Sequence, residues 1–139
     1  MNLAARWDRL AAATRALQGR RRALIAMALG VGATLALPPA HLIALLIPAF
    51  VGLAWLVEGA GSTRRAFWAG WWFGVAHFAT GLYWVSEAFL VDAERFAWMI
   101  PIALGGLGAG LALFIGLATA LAHALRRHHP LIGGLPAVP

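Results

Sequence analysis

Residues 64–95 read RRAFWAGWWFGVAHFATGLYWVSEAFLVDAER. The stretch opens on the pair Arg64-Arg65, runs largely apolar from Ala66 to Val91, and closes on Asp92-Ala93-Glu94-Arg95, whose charges are of mixed sign. A run of this length spans a bilayer with some tilt. Trp68, Trp71 and Trp72 lie near the basic end, and Tyr83 and Trp84 lie nearer the other. Two membrane interfaces select such a pair of aromatic belts.

The same grammar extends in both directions. Three further apolar stretches cover Ala23–Leu37, Leu42–Val57 and Phe96–Leu125. Arg20, Arg21 and Arg22 precede the first, and Arg126 and Arg127 follow the last. The connection between the first two carries Pro38, Pro39 and His41 instead. Every second connection is therefore strongly basic, the positive-inside signature of a polytopic membrane protein. The expected fold class is all-α integral membrane, with about four transmembrane helices in two hairpins and both termini inside.

Composition agrees. The chain has 139 residues, is 62% hydrophobic and 12% charged, and has a mean hydropathy of +0.78. Soluble domains average about 25% charged residues. The formal net charge of +6 does not point to nucleic acid, whose binders gather basic residues on one exposed polar surface. Here arginines punctuate apolar runs, and anionic headgroups are the fitting partner. With no Cys in the chain, disulfides, thiolate metal ligands and thiol nucleophiles are excluded within it.

Three regions are expected: an amphipathic segment over 1–19, a four-helix transmembrane region over 20–127, and a tail over 128–139. In the first, Leu3, Trp7, Leu10, Thr14 and Leu17 recur at helical spacing while Arg6, Arg9 and Arg15 lie off that stripe. The pattern fits a short interfacial helix; a frayed terminus is the alternative reading. The stretch Ala23–Leu37 is short, ~22 Å of helix against a hydrocarbon core of ~30 Å. A secretory signal has a similar make-up, but the alternation of basic loops continues through it. Pro38-Pro39 prevents one continuous helix from crossing into the second stretch. Pro48 is expected to kink the second helix. Gly70-xxx-Gly74 and Gly106-xxx-Gly110 have the spacing that lets helix backbones approach closely. The tail Pro130–Pro139 reads as the run-in to a fifth apolar segment.

Ionisable groups within spanning segments are functional candidates. Glu58 is expected in an interfacial ion pair with Arg64 or Arg65. At 100° per residue, His77, Thr80, Tyr83, Trp84 and Glu87 fall within about 120° of one another on the third helix. That face either lines a lipid or substrate path or hydrogen-bonds to neighbouring helices and fixes packing. Ser86 falls on another side of the helix, so a triad with His77 and Asp92 is rejected. His128-His129 adds positive charge to its arginine cluster. No metal or cofactor motif is present.

Gly70-Trp71-Trp72-Phe73-Gly74, Phe78 and Gly81-Leu82-Tyr83-Trp84-Val85 resemble the N-terminal membrane region of apolipoprotein N-acyltransferases. The stretches Glu87–Asp92 and Arg95–Pro101 are similar to the adjoining segment of proteobacterial members, and Leu35–Pro39 matches the family's ending of the first helix. The resemblance covers roughly Arg21 to Pro139. It implies a multi-pass enzyme of the bacterial inner membrane with a cytoplasmic N-terminus. It also implies eight membrane helices and a periplasmic nitrilase-like domain, and no cofactor. The implied partners are a phospholipid acyl donor and a diacylated lipoprotein, whose N-terminal cysteine receives the acyl chain. The family's catalytic Glu, Lys and Cys belong to the nitrilase-like domain and match no position here, so no catalytic residue is assigned. The chain is expected to be the inactive membrane portion of such an enzyme. A stand-alone four-helix membrane protein, such as a transporter subunit or assembly factor, is the rival reading.

Overall fold

Arginine, proline and serine mark the places where helices begin and stop. The computed structural model of the protein describes residues 3–38, 40–83, 85–86 and 93–128, and every regular element among them is helical. Helix α1 is Leu3–Arg15, α2 is Gly19–Thr34, α3 is Leu46–Glu58 and α4 is Thr63–Gly81. A single turn, α5, is Ala93–Phe96, and the long α6 is Ile100–His128. Short 3-10 turns, Ile43–Leu45 and Ala97–Met99, lead into α3 and α6.

The boundaries have local causes. Ser62 caps α4, its hydroxyl accepting from the Arg65 amide at 3.3 Å, which satisfies one of the first-turn N–H groups that helices leave free. α2 closes ahead of Pro38 through Leu35 N–H to Val31 O and Leu37 N–H to Thr34 O. The chain then reverses at His41, whose φ is +51°. Pro48 was expected to kink the second helix. The residues before it form the 3-10 turn, so Pro48 falls in the first turn of α3, where its missing N–H has no intrahelical acceptor to lose. The third helix is shorter than its apolar run. α4 stops at Gly81, with Leu82 at φ −95°, ψ 12°; Thr80 and Gly81 are both weak helix formers.

α4 is the central element. Its Phe73 and His77 backbone lies against Gly30 of α2, and the next turn pairs His77 with Thr34, so α2 and α4 run parallel. On another side, Gly70 meets Ile115 and Thr119, and Gly74 meets Ala112, which makes α6 antiparallel to α4. α3 is antiparallel to α2: Arg22 reaches the Leu56 carbonyl and Leu29 lies over Gly52. This arrangement gathers Arg22, Glu58, Gly61, Arg126 and Arg127 at one end of the bundle. α3 and α6 splay apart, leaving an apolar groove of about 620 Å³ between Phe50, Leu53, Val57, Phe114 and Ile115.

Small residues form the seams. The buried face of α2 is Arg22, Ala26, Gly30 and Ala33, and that of α6 is Gly108, Ala112, Gly116, Thr119 and His123. The sequence expectation for α6 was out of register: a Cβ at Gly106 or Gly110 would meet nothing within 4 Å. Large apolar side chains point outward instead, with Ile47 71% and Phe114 73% exposed. The helical stretch Ala97–His128, 32 residues, is the one among the described residues long and apolar enough to cross a membrane. Ile43–Glu58 is apolar but shorter.

Candidate functional site

Two polar constellations stand out, one in the seam between two helices, where Thr34 and His77 are half-buried and Thr80 is exposed, and one at the arginine end. The first joins α2 to α4. Thr34 Oγ1 lies 2.9 Å from the His77 carbonyl and 3.0 Å from His77 Nδ1, and Thr80 donates to it at 2.9 Å. Thr80 Oγ1 also lies 2.6 Å from the Ala76 carbonyl. A hydroxyl has one proton and two lone pairs, so Thr34 donates to one of its acceptors at a time and accepts from the other donors. The His77 ring stacks on Phe73 at 6.2 Å and meets Phe78 edge-on at 5.2 Å.

Of the polar face expected on the third helix, His77 and Thr80 are therefore brought together, through Thr34. Tyr83 lies in the turn beyond the end of α4 and is 54% exposed. Trp84 and Glu87 lie outside the described residues. The sequence reading missed Thr34 as the hub. The available signal was its place one turn beyond Gly30, on the buried small-residue face of α2.

At the other end, Glu58 pairs with Arg15 at 2.7 Å and Arg126 at 3.0 Å. The ion pair was expected, but with Arg64 or Arg65; its partners come from α1 and α6, which the bundle brings in from 43 and 68 residues away. Burial pushes the Glu58 carboxyl up, but hydrogen bonds from Arg126 and Arg15 and their charges outweigh it and hold the group below the usual carboxylate range. Arg127 donates to the Gly61 carbonyl at 3.2 Å.

Arg22 is distinct from Arg20 and Arg21, being only 7% exposed. It donates to the carbonyls of Leu56 and Gly59 at the end of α3 and of Leu17. A cation there satisfies carbonyls left free by the helix and complements its negative pole. His123, also buried, places Nδ1 3.1 Å from the Val57 carbonyl. The sequence reading singled out neither, although both continue the four-and-three spacing of small residues on their helices.

The Thr34–His77–Thr80 cluster has no charged partner among the described residues to activate a hydroxyl, and the chain has no thiol. Among the described residues, no group of His, Asp and Glu could hold a metal ion. The geometry binds helices to one another and concentrates positive charge at one end.

Comparison with known proteins places this scaffold. The family model for the apolipoprotein N-acyltransferase N-terminal domain matches residues 29–138. The apolipoprotein N-acyltransferase of Allorhizobium ampelinum is 44% identical over 127 residues, which cover 85% of this chain and 24% of that protein. That of Rhodopseudomonas palustris is 45% identical over 114 residues, 78% of this chain and 21% of its own. That of Brucella melitensis is 44% identical over 126 residues, 84% and 24%. The chain thus spans about a quarter of the length of the curated relatives it matches. No solved structure matches it. With a small-residue helical scaffold and a family model that covers most of its length, the chain belongs to the apolipoprotein N-acyltransferase family.

Proposed function

We propose that the chain is the membrane-embedded N-terminal portion of an apolipoprotein N-acyltransferase. In this reading α2, α3, α4 and α6 cross the bacterial inner membrane as two hairpins, with the arginine end cytoplasmic. Residues 1–19 lie along the cytoplasmic interface. The whole enzyme moves an acyl chain from a phospholipid to the N-terminal cysteine of a diacylated lipoprotein. This portion supplies scaffold, and the reacting groups come from elsewhere in the enzyme.

One observation carries the reading. Gly, Ala and Thr line the seams between the helices. Although Leu53, Leu56 and Phe73 are buried, large apolar side chains such as Ile43, Ile47, Phe50, Phe114 and Leu117 stand more than half exposed, inverting the usual pattern. Water penalises that inversion, at about 25 cal/mol for each Å² of apolar surface left exposed, whereas lipid does not. The gathered arginines support the orientation. α2, of 16 residues, rises ~24 Å; its flanking arginines can snorkel to make up the remaining length.

Within the same proposal, His77 and Thr80 serve packing, because their bonds run to Thr34 of a neighbouring helix. Tyr83, with Trp84 and Glu87 beyond it, is left for the outer-leaflet path by which lipid enters. Single cysteines introduced at Ala40, Gly61 and Glu94 test the topology. An impermeant thiol reagent added from the periplasmic side should label the first and third and spare the second. Labelling at position 61 would refute the two-hairpin arrangement.

A further inference from the structure

A second cavity, of about 290 Å³, opens at the arginine end, lined by Gln18, Gly19, Arg22, Arg65, Trp68 and Trp72 among others. Its floor carries a charge with no counter-ion in the described residues. The hydrogen bonds of Arg22 go to carbonyls, and its buried Nε–H has no partner. Carbonyl dipoles stabilise a guanidinium but do not neutralise it. Of the carboxylates at this end, Glu58 is already held by Arg15 and Arg126, and Asp8 of α1 makes no ion pair with Arg22. Arg65 brings a second guanidinium to the rim, near enough to repel Arg22.

The backbone adds to the same field. α2 begins at this cavity, and its N-cap residue Gln18 makes no side-chain capping bond. First-turn N–H groups and the positive helix pole favour an anion there. Trp68, 44% exposed, and Trp72 supply the wall, and indoles settle at headgroup depth. Charge, free donors and aromatic wall converge on one kind of ligand.

We infer that this cavity binds a phosphate group, held between Arg65 and the first turn of α2 above the buried Arg22. Its source is the headgroup of an anionic phospholipid in the leaflet at the arginine end. The leaflet assignment rests on the membrane reading proposed for the chain; the phosphate chemistry does not. The site lies at the opposite end of the bundle from Tyr83, so it is separate from the proposed lipid path.

The test uses the purified chain with two substitutions, Arg65→Gln in the cavity lining and Arg64→Gln beside it, which is also exposed and lies outside the lining. In one arm, native mass spectrometry counts lipid retained from nanodiscs of phosphatidylglycerol in phosphatidylcholine. In the other, phosphorus NMR follows inorganic phosphate added to the chain in detergent. Arg65→Gln should lower phosphatidylglycerol retention by at least about ten-fold, the loss of a charge-assisted hydrogen bond to the phosphate together with the surface charge, and Arg64→Gln by no more than about five-fold, the effect of one basic residue at an anionic surface. Binding of inorganic phosphate with the same dependence on Arg65 would support the site and reassign its source to the free ion. Equal responses to the two substitutions, or none in either arm, would overturn the inference, since diffuse surface charge would then explain any binding. A chain that will not enter nanodiscs but binds phosphate through Arg65 would count against the membrane reading alone.

Discussion

Gly70 on α4 and Thr119 on α6 approach so closely that a methyl group on residue 70 would land on the Thr119 hydroxyl. The same methyl would also fall 2.8 Å from the Ile115 carbonyl, which is backbone and cannot rotate away. Thr119 in turn donates to the Ala66 carbonyl at 3.0 Å, so contact and hydrogen bond share one seam.

Gly70→Ala is accordingly expected to destabilise the bundle by about 1–3 kcal/mol, the usual effect of overpacking. Gly106→Ala, with open space around it, should leave stability unchanged or raise it slightly, since alanine is the better helix former. Thermal unfolding of both variants in one detergent makes the comparison. Equal melting temperatures would disprove the α4–α6 seam.

Acid should loosen the arginine end. The Glu58 carboxyl is held below its ordinary pKa when folded, so its contribution is complete above the unfolded value of about 4.3. It is lost as the pH falls through the lower folded value. Melting temperature should therefore drop in that acid range, and Glu58→Gln should flatten the drop while lowering stability at neutral pH. Arg15→Gln should release α1, read as faster proteolysis within residues 3–15. An unchanged acid profile in Glu58→Gln would remove this pair from the account.

Thr34→Val keeps the shape of residue 34 and removes the hydroxyl that His77 and Thr80 share. Interhelical hydrogen bonds in membranes contribute about 0.6–2 kcal/mol, and a loss of that size is expected. Tyr83→Phe, at an exposed position, should stay within about 0.5 kcal/mol. If both variants melt like the parent, this cluster does not fasten α2 to α4.

The chain by itself should transfer no acyl group. Covalent acyl transfer requires an activated nucleophile, and the Thr34–His77–Thr80 cluster offers none among the described residues, while thiols are absent. Incubation of the purified chain with phospholipid and a diacylated lipopeptide, followed by mass spectrometry, should give no triacylated product. Product above background would overturn the division of labour proposed for this portion.

Segmentation was legible in the sequence because charge and proline are one-dimensional signals. Arg20–Arg22 and Arg64-Arg65 fall in the first turns of α2 and α4, and Pro38 falls just past the end of α2. Gly70-xxx-Gly74 was legible for the same reason, its seam lying on one helix. The partner seam was not. In a Gly- and Ala-rich helix a four-residue spacing recurs at several offsets, and only the rotation of α6 against α4 selects Gly108, Ala112 and Gly116 over Gly106 and Gly110. The partners of Glu58 escaped notice because nearby arginines were more obvious than those delivered by distant helices. Arg22 looked like one arginine of three until packing turned it inward. Gly81 was read within a continuous apolar run, and hydropathy does not record where a helix ends.

The capping of α3 by Arg22 has a consequence for how the protein is made. The Leu56 carbonyl that receives the guanidinium lies 34 residues farther along the chain. Synthesis proceeds from the N-terminus at about 5–20 residues per second, so Arg22 emerges seconds before its acceptor exists. Until then its charge must stay in water or among headgroups, which keeps the start of α2 at the surface. Only the completed α2–α3 pair can draw that arginine inward, which makes the pair, rather than either helix alone, the natural unit of folding.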